Sequence, residues 1–243
     1  MPVKTLDQPI FDRPMTNDET LARFNAVNQA LKDATRKANR PSEQVQLLAV
    51  SKTKPVEQIE ALYAAGQRQF GENYVQEAVA KVETLSHLDI VWHFIGPIQS
   101  NKTRLISEHF AWVHSVDRLK IAQRLSEQRP SHLPPLNICI QVNISEEASK
   151  SGCLPQDLDA LLAACAKLPN LCLRGLMAIP AAKVAPEVTQ ADFAKMKSLL
   201  DHYQSAYPSL DTLSMGMSSD MELAIAEGST MIRIGTALFG ARN

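Results

Sequence analysis

The rhythm of apolar and polar positions changes once along this chain. From Asn17 to about Asn39, Leu21, Phe24, Val27 and Leu31 recur near helical spacing, which predicts an amphipathic helix capped by Asn17. After Pro41, short apolar runs alternate with amphipathic stretches. Strands are expected near 45–51, 68–71, 90–95, 111–116, 136–144, 171–179, 210–215 and 230–239. Helices are expected near 56–65, 74–86, 99–108, 118–128, 155–168, 187–206 and 219–227. Runs such as Leu136-Asn-Ile-Cys-Ile-Gln-Val142 and Val91-Trp-His-Phe-Ile95 lack clean alternation, as strands of a parallel sheet covered on both faces do. The pattern predicts an α/β fold: a single (β/α)8 TIM-type barrel over residues 16–243 with an extra N-terminal helix, and residues 1–15 as a flexible tail. Periodicity alone leaves an open doubly wound sheet as the alternative. No Gly-rich dinucleotide fingerprint follows the first strand, which weighs against that reading.

Composition narrows the function. The 243 residues are 45% hydrophobic, enough for a sizeable core, and the net charge of -1 gives no electrostatic case for nucleic acid or an anionic membrane. No run approaches the roughly 18 apolar residues that span a bilayer, and the first fifteen residues lack the apolar centre of a signal peptide. Cys139, Cys153, Cys165 and Cys172 form no CxxC pair and have no histidine at metal spacing. The expectation is a cytoplasmic protein with reduced thiols and no metal.

In a barrel, chemistry gathers at the C-terminal ends of the strands. Lys52 ends the first expected strand, where burial would favour the neutral amine that a Schiff base requires. Gly71-Glu72-Asn73 ends the second. Ser214-Met-Gly-Met-Ser-Ser-Asp-Met-Glu222 reads as strand, turn and helix start, with Ser219-x-x-Glu222 as a capping box and Gly216 allowing close backbone approach. Ile232-Arg-Ile-Gly-Thr-Ala237 brings Gly235 and a hydroxyl to the eighth strand. The loops after strands seven and eight are where barrels hold phosphate. Taken singly, Ser219 reads as a cap and Gly235 as a packing point; together they favour an anion site. Arg233, flanked by apolar residues, needs a partner, either a carboxylate or a ligand. An aldehyde-bearing, phosphorylated aromatic ring satisfies all these elements, and pyridoxal 5′-phosphate (PLP) is such a ligand. A sugar-phosphate aldolase using Lys52 is a third class of reading.

The segments Ala49-Val-Ser-Lys52, Phe70-Gly-Glu-Asn73, His93-Phe-Ile-Gly-Pro97, Arg174-Gly-Leu-Met177, Ser214-Met-Gly-Met-Ser218 and Ile232-Arg-Ile-Gly235 resemble those of the PLP homeostasis protein family, over about residues 17 to 242. That family is similar to the barrel domain of alanine racemase without the enzyme's second domain. The resemblance implies Lys52 as the Schiff-base lysine, with Ser218 and the backbone of Gly235 and Thr236 at the phosphate. It places Arg233 at the pyridine nitrogen and Asn73 and Met215 in the pocket lining, with Ser219 at the margin of the set. It implies a carrier or reservoir of PLP in vitamin B6 homeostasis without substantial catalysis, serving apo PLP-dependent enzymes, and it points to a monomer. The alternative is a PLP-dependent amino-acid racemase, which needs a second acid/base. Lys54 reads as a rim lysine, Lys150 as an exposed loop charge that could form a second imine, and His93 as a hydrogen-bonded core histidine.

Overall fold

The computed structural model describes residues 16–181 and 184–240; the expected tail, 1–15, lies outside the described residues. Eight parallel strands run in sequence order: β1 (Gln46–Val50), β2 (Gln69–Glu72), β3 (Val91–Phe94), β4 (Trp112–Val116), β5 (Leu136–Gln141), β6 (Leu171–Met177), β7 (Thr212–Ser214) and β8 (Met231–Ile234). Each pairs with the next. β8 then returns to β1 in parallel, with Leu48 opposite Arg233 and Ala49 opposite Ile234. That last pairing closes the sheet and decides for the barrel over the open sheet.

The helices are α1 (Asn17–Lys37), α2 (Val56–Ala64), α3 (Val75–Thr84), α4 (Thr103–His109), α5 (Leu119–Gln128), α6 (Leu158–Cys165), α7 (Pro186–Gln204), α8 (Met221–Ala226) and α9 (Thr236–Phe239). The eighth strand, expected to reach residue 239, stops at Ile234. Beyond it the amides of Leu238 and Phe239 both donate to the Gly235 carbonyl at 2.9 Å, and the turn of helix they start buries both side chains. The apolar composition of this segment suited strand and helix alike. Strand five likewise ends at Gln141, three residues short of expectation, and continues only as a bridge between Val142 and Cys153.

The first helix is capped by Thr16, not Asn17. The Thr16 hydroxyl accepts from the Glu19 amide at 3.3 Å while the Glu19 carboxylate accepts from the Thr16 amide at 2.8 Å. This is a reciprocal capping box, and it makes Asn17 the first helical residue. Phe24, Val27, Leu31 and Ala34 form the buried face of α1, which packs on α2, α8 and α9. A full eighth helix would occupy that flank; the four-residue α9 leaves it open, and α1 fills it. Leu31→Ala should therefore destabilise the barrel by about 2–5 kcal/mol, read from denaturant unfolding, because the site cannot collapse around the lost side chain.

The interior has two parts. One contiguous apolar cluster, including Leu47, Ala49, Phe70, Phe94, Ile140, Leu213 and Ile232, lies between the strands and the helices. Inside the barrel, residues of the opposite parity form a mixed lumen. Leu48, Cys139, Met177 and Met231 are buried but stand apart from that cluster, and the polar side chains described next fill the space among them. All four cysteines are free. Burial raises the Cys139 thiol pKa above its ordinary value. Among the described residues no helix is long and apolar enough to cross a membrane.

Candidate functional site

Parallel pairing brings Lys52, Asn73, Ser218, Ser219, Gly235 and Thr236 to one arc of the barrel mouth. They follow β1, β2, β7 and β8, which are consecutive round the closed sheet. A Cβ placed on Gly235 would sit 3.3 Å from the Val50 carbonyl, so the end of β8 lies directly against the end of β1. Lys52 lies two residues beyond the end of β1 and is half-buried.

Lys52 occupies a tight turn. The Lys54 amide donates to the Ser51 carbonyl at 3.1 Å, which makes Lys52 and Thr53 the two central residues. Thr53 has φ 61, the left-handed value that such a turn normally assigns to glycine. For a β-branched residue this conformation costs on the order of 1–3 kcal/mol and persists only where surrounding contacts impose it.

Arg233 lies in the lumen below the mouth, 5% exposed. One terminal nitrogen donates to the Ser214 carbonyl at 2.6 Å and to Ser214 Oγ at 2.9 Å. The other donates to the Ala178 carbonyl at 2.9 Å. No ion pair links it to a carboxylate among the described residues, so the salt-bridge reading gives way to neutral partners. Three of its five N–H groups are used, which leaves donors for a ligand. Burial lowers its pKa to about 10, still far above neutrality.

Below the arginine runs a chain of side chains that sequence reasoning missed. Ser214 Oγ lies 2.8 Å from His114 Nδ1, His114 Nε2 lies 2.9 Å from His93 Nδ1, and His93 Nε2 lies 2.5 Å from Gln69 Oε1. An amide oxygen only accepts, so His93 carries its proton on Nε2 and accepts at Nδ1 from His114. His114 then accepts the Ser214 hydroxyl proton, which leaves the Ser214 oxygen to accept from Arg233. Both rings are neutral: desolvation lowers His93 to about 3 and His114 well below its ordinary value. The oriented chain turns acceptor ends toward the guanidinium and, with the field of the Asp220 carboxylate, helps sustain its charge without a contacting ion pair. His93 is the hydrogen-bonded core histidine that the sequence led us to expect. The one signal for the chain was polar residues at inward parity in apolar strands.

Other expectations are corrected. Met215 falls on the outward parity and its side chain is fully buried in the apolar layer, so it does not line the mouth. Gly216 has φ 93, and a Cβ there would run into Ala224 and Ile232; its glycine serves the turn and packing. The Ser219 capping box does not form: α8 begins at Met221 with Asp220 at the cap position, and the Asp220 carboxylate accepts from the Met217 amide at 2.5 Å. Ser218, Ser219 and Thr236 are exposed. Lys150, expected as a solvated charge, donates to the Pro180 carbonyl at 2.5 Å and is mostly covered.

The side-chain oxygens of Asn73 and Asn143, at the ends of β2 and β5, are buried without a hydrogen-bond partner. Such orphans at a barrel mouth fit a polar ligand. A cleft of about 280 Å³ also opens between α1 and the last two strand loops, lined by Arg23, Val27, Ser218, Met221, Ile234 and Ala237. A second cleft, of about 370 Å³, lies at the opposite end of the barrel. Its arginines are engaged internally: Arg40 by the Ile225 and Ser229 carbonyls, Arg174 by Asp211. That end of a barrel serves stability, and the chemistry belongs to the mouth.

The chain has relatives among known proteins. The model of the alanine racemase N-terminal domain family matches residues 12–243. A pyridoxal phosphate homeostasis protein of Pseudomonas aeruginosa is 61% identical over 217 residues, covering 89% of this chain and 93% of the relative. One from Escherichia coli is 55% identical over 221 residues, covering 89% and 94%. The structure of PipY of Synechococcus elongatus with PLP bound is similar at a TM-score of 0.77 and 41% identity, over 93% of this chain and all of that one (100%).

Proposed function

This chain belongs to the alanine racemase N-terminal domain family and, within it, to the pyridoxal phosphate homeostasis proteins, and from that premise we propose that it holds PLP reversibly as a Schiff base on Lys52. Condensation of the Lys52 amine with an aldehyde joins nitrogen to carbon and expels the aldehyde oxygen as water, so hydrolysis reverses it without an oxidant. Ser218 and the backbone N–H groups of Gly235 and Thr236 hold the phosphate, Arg233 meets the pyridine nitrogen, and Asn73 presents its unpaired oxygen beside them. Bound there, PLP supplies an electrophilic aldehyde and an electron-withdrawing ring.

The observation that carries the carrier reading is the Arg233 guanidinium, anchored by neutral groups in the lumen. A fixed cation opposite the ring nitrogen disfavours protonating that nitrogen, which weakens the ring as a carbanion sink. Two of the three candidates for a second acid/base, Lys54 being the third, are engaged elsewhere: His93 is sealed between His114 and Gln69, and Lys150 is tied to the Pro180 carbonyl. The protein accordingly acts as a PLP carrier or reservoir inside the cell, functions as a monomer, and passes cofactor to apo-enzymes.

The purified protein should show the visible absorption of a PLP Schiff base, lost on borohydride treatment with the label mapping to Lys52. Transfer to an apo-enzyme in the presence of a scavenger of free PLP should outpace transfer through solution. Equal rates would remove the carrier role. Racemisation of L-amino acids well above that by free PLP, abolished in Lys52→Ala, would establish the enzyme reading instead.

A further inference from the structure

Beneath the strained turn lies a buried ionic cluster that touches it on both sides of Lys52. The Lys81 ammonium, on α3, donates to Glu72 Oε1 at 2.9 Å, to Glu77 Oε1 at 2.6 Å and to the Ser51 carbonyl at 2.8 Å. The Ser51 hydroxyl donates to Glu72 Oε1 at 2.7 Å, and the Thr53 amide donates to Glu77 Oε1 at 2.6 Å. The residue before Lys52 is thus gripped at its carbonyl and its hydroxyl, and the residue after it at its amide. Lys81 and Glu72 are almost wholly buried, while Glu77 remains partly open to solvent.

We propose that Glu72, Glu77 and Lys81 form a positioning clamp that fixes the Ser51–Lys54 turn, with Thr53 in its left-handed conformation, so that the Lys52 amine is held over the barrel mouth for imine formation. The proposal deepens the reading of Lys52 as the Schiff-base lysine and rests on it. Three features support a clamp over an ordinary structural ion pair. A threonine occupies the glycine position of the turn, and a contact has to impose that conformation. The imposing carboxylate comes from α3, so the turn is fixed from outside its own loop. Lys81 is shared between that carboxylate, Glu72 and the Ser51 carbonyl, so the three contacts stand or fall together. Ser51 and Glu72 share the outward parity of Ala49 and Phe70, so the cluster lies on the helix side of the sheet, behind the turn.

Glu77→Ala is the decisive variant, because the partial exposure of Glu77 lets water satisfy what it leaves behind and the fold survives. Two ligands separate the effects: PLP, and pyridoxine 5′-phosphate, which has the same ring and phosphate with an alcohol in place of the aldehyde. Affinity for PLP and its borohydride-trapped fraction should fall about tenfold. Affinity for pyridoxine 5′-phosphate should stay within about twofold. Hydrogen exchange at the Thr53 amide should accelerate with no ligand present. Glu77→Gln, which restores an acceptor for that amide, should recover part of the PLP affinity. A parallel fall for both ligands, or no change for either, overturns the clamp. An unaltered protein that forms no imine removes the cofactor reading and the clamp's role with it, whereas equal imine formation in all three proteins removes the clamp alone.

Discussion

Lys52→Ala should abolish the borohydride-trapped link to PLP and still leave a folded protein that binds PLP, more weakly by about 10²–10³-fold, equivalent to about 3–4 kcal/mol. The loss is the covalent bond. What remains is held by other strands: the loops after β7 and β8, and Arg233, whose hydrogen bonds to Ser214 and Ala178 do not involve the lysine. Stability should change little, by within about 1 kcal/mol, because Lys52 is half-buried at a strand end and is no part of the apolar layer. Equilibrium dialysis gives the residual affinity, and peptide mapping after borohydride gives the site. Undiminished trapping in the variant, on Lys54 or Lys150, would overturn the assignment of Lys52. So would loss of all binding from a protein that melts normally, since the phosphate loops would then contribute nothing of their own.

Local signals read the fold well where they were strong. Every expected strand and helix exists, because parallel strands covered on both faces and amphipathic helices write different periods. Periodicity alone did not write closure, since open and closed parallel sheets bury their strands alike; the expected barrel rested on the eight alternating units and the missing dinucleotide fingerprint, and the pairing of β8 with β1 bears it out. The end of β8 was overdrawn because Ile-Gly-Thr-Ala-Leu-Phe is apolar enough for either state. At the mouth, Lys52, Arg233 and Gly235 stood out as charged or conformationally special residues at apolar strand ends. The parts that support them did not. Glu77 and Lys81 form an i,i+4 pair that reads as a solvated helix face, and nothing local tells that Lys81 turns inward to Glu72 and Ser51. Gln69, His93, His114 and Ser214 lie on four different strands, so their hydrogen bonds exist only once the barrel closes.

The histidine chain makes the barrel acid-labile in a window set by imidazole. In the unfolded chain each ring takes a proton near pH 6.5. In the native state desolvation holds His93 down to about 3 and His114 well below its ordinary value. Native pKa values lie below unfolded ones, so the stabilisation is complete above about pH 6.5 and is lost as pH falls, since only the unfolded state gains the protons. Each ring then removes about 1.4 kcal/mol per pH unit, or about 2 kcal/mol between pH 6.5 and pH 5, and the pair about 4 kcal/mol. His93 alone accounts for at most about 5 kcal/mol by the time pH reaches its native value. Glu72 works against this: burial raises its native pKa, so acidification through that pKa favours the folded state and softens the decline. Denaturant unfolding at pH 7.5, 6 and 5 measures the slope. His93→Gln keeps polar atoms in the lumen but cannot titrate, and should reduce the slope by about half. A flat profile from pH 7.5 to 5, or an equal slope in the variant, would mean that the rings are protonated in the native barrel. The assigned direction of the chain would then fail, and with it the account of how the chain helps Arg233 keep its charge without a contacting carboxylate.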